Sequence, residues 1–135
     1  MELLKWKTRL AVLWLFMAIG MSSYMFLFFM EPGAIEGIIK GEIEGMQIGE
    51  GLKLYFGIFW DIPLIMAVLS LILKGSASRW PNFVLGILIA ILCIIGFIES
   101  VTGGKSIAIL VNYFLGFAVG ALIAWYAWKW PKQEV

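Results

Sequence analysis

The chain has 135 residues, 62% of them hydrophobic and only 14% charged, with seven Trp, ten Phe and a formal net charge of +1. Soluble domains usually carry roughly 25% charged residues, so a water-facing globular surface is excluded and most of this surface must face lipid. The balanced charge leaves no case for a nucleic-acid partner. With no His and a single Cys, Cys93, an intrachain disulfide, C-x-x-C chemistry and His-ligated zinc or haem are excluded as well, and no metal or cofactor is expected.

The first predicted element begins in "MELLKWKTRLAVLWLF", where basic residues precede an apolar run, as in a signal peptide. The run continues to Met30, however, about 21 residues past Arg9 and long enough to span a bilayer. It meets no small-residue cleavage site. A retained membrane helix over about 9–30 is therefore expected. Apolar runs at about 51–73, 81–101 and 106–129 predict three more spans. The second connection, "KGSASRWPN", is short and basic, with Pro81 suited to the first turn of the helix that follows. The third, "TGGKS", is a tight turn. Short connections make neighbouring helices antiparallel, so the predicted fold class is an all-α membrane protein, a four-transmembrane-helix up-down bundle forming one domain over 1–135.

Lys5, Lys7, Arg9, Lys74, Arg79, Lys129 and Lys132 fall on one side of this bundle, and Lys40, Lys53 and Lys105 on the other. That bias places both termini in the cytoplasm. Trp6, Trp80, Trp128 and Trp130 then lie near the cytoplasmic boundary as half of an aromatic belt.

The outer loop, 31–50, places Gly37, Gly41, Gly45 and Gly49 at every fourth residue among Glu36, Glu42 and Glu44. On a helix this period draws a glycine stripe drifting about 40° per step, which would let a short helix lie flat on the bundle. Each glycine costs about 1 kcal/mol of helix propensity, so a loop of broken turns is the competing expectation. The glutamates lack the D-x-D-x-D-G pattern of a cation loop and are read as solvated.

The second span carries "GIFWDIPLI", with Asp61 roughly 15 Å from the outer boundary and 20 Å from the inner one at 1.5 Å per residue. An ionised Asp at such a depth costs about 2.5–3.5 kcal/mol on insertion scales, so it is expected to face the bundle interior, be protonated or have a partner. Lys53, Gly57 and Asp61 share a face, and Pro63 leaves the carbonyl of Phe59 without a donor. Carboxylate and free carbonyl together would make a polar notch open to the outside. Ser22, Ser23 and Tyr24 on the first span and Asn112 and Tyr113 on the fourth lie at similar outer depth, with Glu99 near the outer end of the third. A structural acid, protonated and bonded to Ser22 or Asn112, is the alternative. Cys93, in "ILCII", is read as a small hydrophobe. On the fourth span Asn112, Gly116, Gly120 and Ala124 recur every four residues, a small-residue face for close helix packing.

The run "EPGAIEG…EGMQIGEG…FWDIPLIMAVLS…SRWPNFVLG" with its closing "WYAWKWP" resembles a family of small four-span prokaryotic membrane proteins of unknown function. The resemblance rests on Asp61-Ile62-Pro63, where the family has an acid-Ile-Pro element, on Arg79-Trp80 and on the aromatic stretch Trp125 to Trp130. It implies the four-span fold, a location in the prokaryotic inner membrane and attention to Asp61; it implies no activity.

The leading expectation is an outward-facing notch at Asp61 that binds or transports a small solute or cation with proton coupling. The alternative is a non-catalytic accessory subunit or lipid-binding scaffold assembling through the Gly116/Gly120 face, as a homo-oligomer or with a larger membrane partner. An enzyme is disfavoured because no nucleophile and base stand at a working spacing.

Overall fold

Each apolar run folds as a helix because a backbone in lipid must satisfy its polar groups within its own segment. A computed structural model describes residues 2–129, in the order α1 (Glu2–Phe29), α2 (Ala34–Ile39), β1 (Glu42–Ile43), β2 (Met46–Gln47), α3 (Glu50–Ile72), α4 (Ser76–Thr102) and α5 (Ile107–Trp128). The four long helices are each long and apolar enough to cross a membrane, and the chain is an all-α four-helix membrane bundle. Two helices begin earlier than the apolar runs. α1 takes in Lys5, Lys7 and Arg9, and α4 starts at Ser76, so Pro81 lies inside the helix and not in its first turn. Hydropathy marks the lipid-buried segment, whereas the hydrogen-bonded ladder continues past it.

α1 lies between α3 and α5, α5 packs along α4 over the largest seam, and α3 meets α4 over a much smaller one. Leu10, Trp14, Met17, Met66, Ala67 and Ile123 form the core, drawn from α1, α3 and α5. In the α4–α5 seam, a Cβ added at Gly86 would meet Ala124 N at 2.8 Å and Gly120 O at 2.9 Å, and one at Gly120 would meet Ala90 N and Gly86 O at 3.0 Å. The glycine face of α5 is therefore occupied by α4 of the same chain, with Cys93 Sγ lying over Gly116.

The loop between α1 and α3 is neither a continuous helix nor an open coil. After the single short helix α2, Gly41 turns the chain at φ +83°, and β1 and β2 pair antiparallel with Glu42 opposite Gln47 and Ile43 opposite Met46. Glu44 and Gly45, at φ +50° and +81°, form the two-residue turn, the mirror-image geometry that matches strand twist. The four-residue glycine period is thus not a helical stripe: Gly37 lies inside α2, Gly41 and Gly45 make turns, and Gly49 precedes α3.

This loop is tied to the α4–α5 turn. Lys105 Nζ donates to Glu44 Oε1 at 2.8 Å, and the backbone N–H of Ser106 donates to Glu31 Oε1 at 3.2 Å. Burial pulls the Lys105 ammonium down, but its hydrogen bond to Glu44 and the neighbouring Tyr24, Glu44 and Glu31 outweigh that and hold it above its usual value of 10.5. A folded-state value raised in this way stabilises the loop fully below 10.5, and the contribution is lost as the pH climbs through the raised value. The tie is therefore closed at neutral pH. Lys105→Met is expected to cost only about 0.2–1 kcal/mol, the range for a partly exposed pair, yet to speed amide exchange across 41–48. Unchanged exchange there would mean that the hairpin holds itself.

Candidate functional site

Three cross-helix contacts form a layer towards the loop end of the bundle. Trp60 Nε1 of α3 donates to Ser22 Oγ of α1 at 3.2 Å, and Asn112 Nδ2 of α5 donates to the carbonyl of Gly20 at 3.2 Å. The rings of Tyr24 and Tyr113 stand 5.2 Å apart, and a Cβ at Gly96 of α4 would run into the Tyr113 ring. Tyr24, Asn112 and Tyr113 are thus brought together between α1 and α5, whereas Ser22 meets Trp60 of α3. Asn112 bonds to α1, whereas Gly120 and Ala124 face α4, because a four-residue period rotates about 40° per step. The row from Asn112 to Ala124 is not one face.

Asp61 is not part of this layer. The buried face of α3 is made by Pro63, Met66, Ala67 and Ser70. At about 100° per residue, Asp61 lies roughly 120–180° around the axis from all four, and it is exposed. Its neighbour Trp60 reaches across to α1, whereas Asp61 faces away from the bundle. Pro63 itself is buried, and a helix places residue i−4 nearly beneath residue i. The carbonyl of Phe59 freed by Pro63 therefore lies on the side of the helix away from Asp61. Gly57 shares the Asp61 side and has open space where a Cβ would be, with nothing within 4 Å among the described residues. Lys53 pairs with Glu50 at 3.1 Å on the surface. Ser23 and Glu99 are exposed.

Around Asp61, α3 presents a regular stripe. Leu54, Ile58, Asp61, Ile65, Val68 and Ile72 alternate in steps of four and three, and the five apolar members are 53–64% exposed. A carboxyl group sits in the middle of an unpaired seam.

Two further polar places were not singled out from the sequence. At the loop end, a cavity of about 390 Å³ is lined by Phe28, Glu31, Glu44 and Lys105 with the Gly103–Gly104 turn; its charged groups are those that tie the loop down. Nearer the termini, Trp14 Nε1 donates to Asn82 Oδ1 at 2.6 Å, Ser70 Oγ shares its one proton between Met66 O at 2.7 Å and Asn82 Oδ1 at 3.2 Å, and Asn82 Nδ2 donates to Ser78 O at 2.7 Å. All four side chains in this network are buried. The signal in the sequence is Asn82 itself, an amide just inside a membrane helix.

At the terminal end Arg79 lies over the rings of Trp80 and Trp128, and Arg9 over those of Trp6 and Tyr126. Trp130 and Lys132 lie outside the described residues. Among the described residues, no group of three or more His, Cys, Asp and Glu side chains is placed to hold a metal ion. Residues 1–135 match the family model DUF6326, a family of unknown function. No curated protein and no solved structure matches the chain.

Proposed function

We propose, for a chain that belongs to the DUF6326 family of unknown function, that it is a non-catalytic membrane subunit that assembles side by side with a partner through the Asp61 face of α3, its termini in the cytoplasm of a prokaryotic cell. The observation that carries this reading is a carboxyl group at membrane depth, exposed on the face of α3 opposite its own bundle. Acyl chains offer such a group no hydrogen bond, and intramembrane acids are stable when they meet a protein partner. The Gly116/Gly120 face is taken up by α4, which moves the assembly surface from α5 to α3.

A photo-reactive residue at Ile58 or Ile65, activated in native membranes, is expected to yield protein adducts, while one at Ile91 on the lipid-facing side of α4 yields lipid adducts alone. Lipid adducts alone from all three positions would sink the proposal. Solute or proton flux in reconstituted vesicles that disappears in Asp61→Asn would replace it with the carrier reading.

A further inference from the structure

We infer that the terminal end of α1 binds the headgroup of an anionic phospholipid, its phosphate held by Lys5, Thr8 and Arg9 and its glycerol resting on Leu4. The site lies on α1, away from the Asp61 face, and stands whether or not that face meets a partner. Depth is its first support. At 1.5 Å per residue the stretch from Leu10 to Phe29 spans about 30 Å, the thickness of the hydrocarbon core, and it carries no Asp, Glu, Lys or Arg. Residues 4–9 extend about 9 Å beyond that edge, through the headgroup layer. The anions within their reach are lipid phosphates.

Shape and chemistry supply the second support. Leu4, Lys5, Thr8 and Arg9 line a hollow of about 420 Å³, and on a helix these positions fall within one sector of about 140°. All four are exposed, whereas Lys7 is buried. Ammonium, hydroxyl and guanidinium all donate hydrogen bonds, and charge-assisted bonds to phosphate oxygens are the strong ones. The Thr8 hydroxyl is not used within the chain. Ser22, Ser70 and Thr102 each donate to the carbonyl four residues earlier, at 3.2, 2.7 and 3.1 Å. Thr8 makes no such bond among the described residues.

Charge and the placement of Arg9 are the third. At this end of the bundle Lys5, Lys7, Arg9, Lys74, Arg79 and Lys129 stand against Glu2 alone among the described acids. Lys5 and Arg9 lie one turn apart on one face, where like charges repel, and no other two cations in the sequence are four residues apart. A phosphate between them replaces the repulsion with two attractions. Arg9 is also held in place, its guanidinium 5.6 Å from the Trp6 ring centroid and 5.8 Å from that of Tyr126. A guanidinium stacked on rings keeps its N–H edge for bidentate contact with phosphate. Arg79 also lies over two rings, but its Nη2 donates to the Trp128 carbonyl at 3.2 Å and ties α4 to α5.

The test is native mass spectrometry of the full chain in mild detergent, with phosphatidylglycerol and phosphatidylethanolamine of the same acyl chains added at equal concentration. The wild-type chain is expected to retain one phosphatidylglycerol several-fold more often than phosphatidylethanolamine. Arg9→Gln should lower that occupancy about tenfold, as loss of a hydrogen bond to a charged group does. Thr8→Val, an isosteric change at an exposed position, should lower it by a smaller factor without disturbing the fold. Lys74→Gln removes the same charge at the same end and should leave it unchanged. Equal retention of the two lipids overturns the inference. So does an equal loss in Lys74→Gln and Arg9→Gln, which would mark diffuse attraction to the whole basic end. Displacement of the lipid by excess inorganic phosphate would make a free anion the ligand and overturn it as well.

Discussion

Asn82→Ala is expected to lower stability by about 3 kcal/mol, read as a reduced midpoint in a denaturing-detergent titration. A hydrogen bond between membrane helices averages only about 0.6 kcal/mol, so loss of the bonds alone would be a small effect. The larger cost comes from what remains. Trp14 Nε1 is left buried with no acceptor, at about 1–3 kcal/mol, and the truncated side chain leaves a void in a close-packed site. Ser70 is spared, because its hydroxyl also donates to Met66 O at 2.7 Å. The order expected is therefore Asn82→Ala, then Trp14→Phe at about 2 kcal/mol, from the smaller ring in a buried site and the lost indole bond, then Ser70→Ala near zero. Equal losses for Asn82→Ala and Ser70→Ala would show that the network is not centred on Asn82.

Gly86→Val should be at least as damaging, about 3 kcal/mol at the upper end of overpacking costs. Its Cβ would stand 2.8 Å from Ala124 N and 2.9 Å from Gly120 O. These are backbone atoms of α5 and cannot rotate away, so the seam between α4 and α5 has to open along its length. Gly116→Ala is the informative contrast. There the obstacle is Cys93 Sγ at 2.8 Å, a side-chain atom that Cys93→Ala removes, so the double variant should recover most of a modest loss. Gly20→Val, with nothing within 4 Å of its added Cβ, should stay within about 0.5 kcal/mol of wild type, as surface substitutions do.

The four spans were legible because a 20-residue apolar run has few other meanings in a chain this poor in charge. Asp61 stood out for the same reason. Its direction did not, and the cause is specific to membranes: lipid and protein core are equally apolar, so periodicity does not reveal which face of α3 is inside. The phase was carried by Pro63, Ala67 and Ser70, small or polar residues spaced to share a face. Weighing those three together would have turned Asp61 outward. In the same way Gly86 and Ala90 repeat on α4 the four-residue spacing that drew attention to Gly116 and Gly120 on α5, and the two faces meet each other. The outer hairpin was hidden by a misleading regularity, since Gly41 and Gly45 owe their positions to positive φ and not to a helical period.

The order of the helices, with α1 between α3 and α5 and a much smaller seam between α3 and α4, bears on how the chain is made. Synthesis proceeds from the N-terminus, and α3 finds its docking surface on α1 before α4 or α5 has been translated. The first two spans can therefore settle as a hairpin inside the bilayer while the rest is still on the ribosome. Trp14 is the exception, because its acceptor Asn82 lies on α4. Its indole N–H finds its acceptor only when the third span, which carries Asn82, is in place.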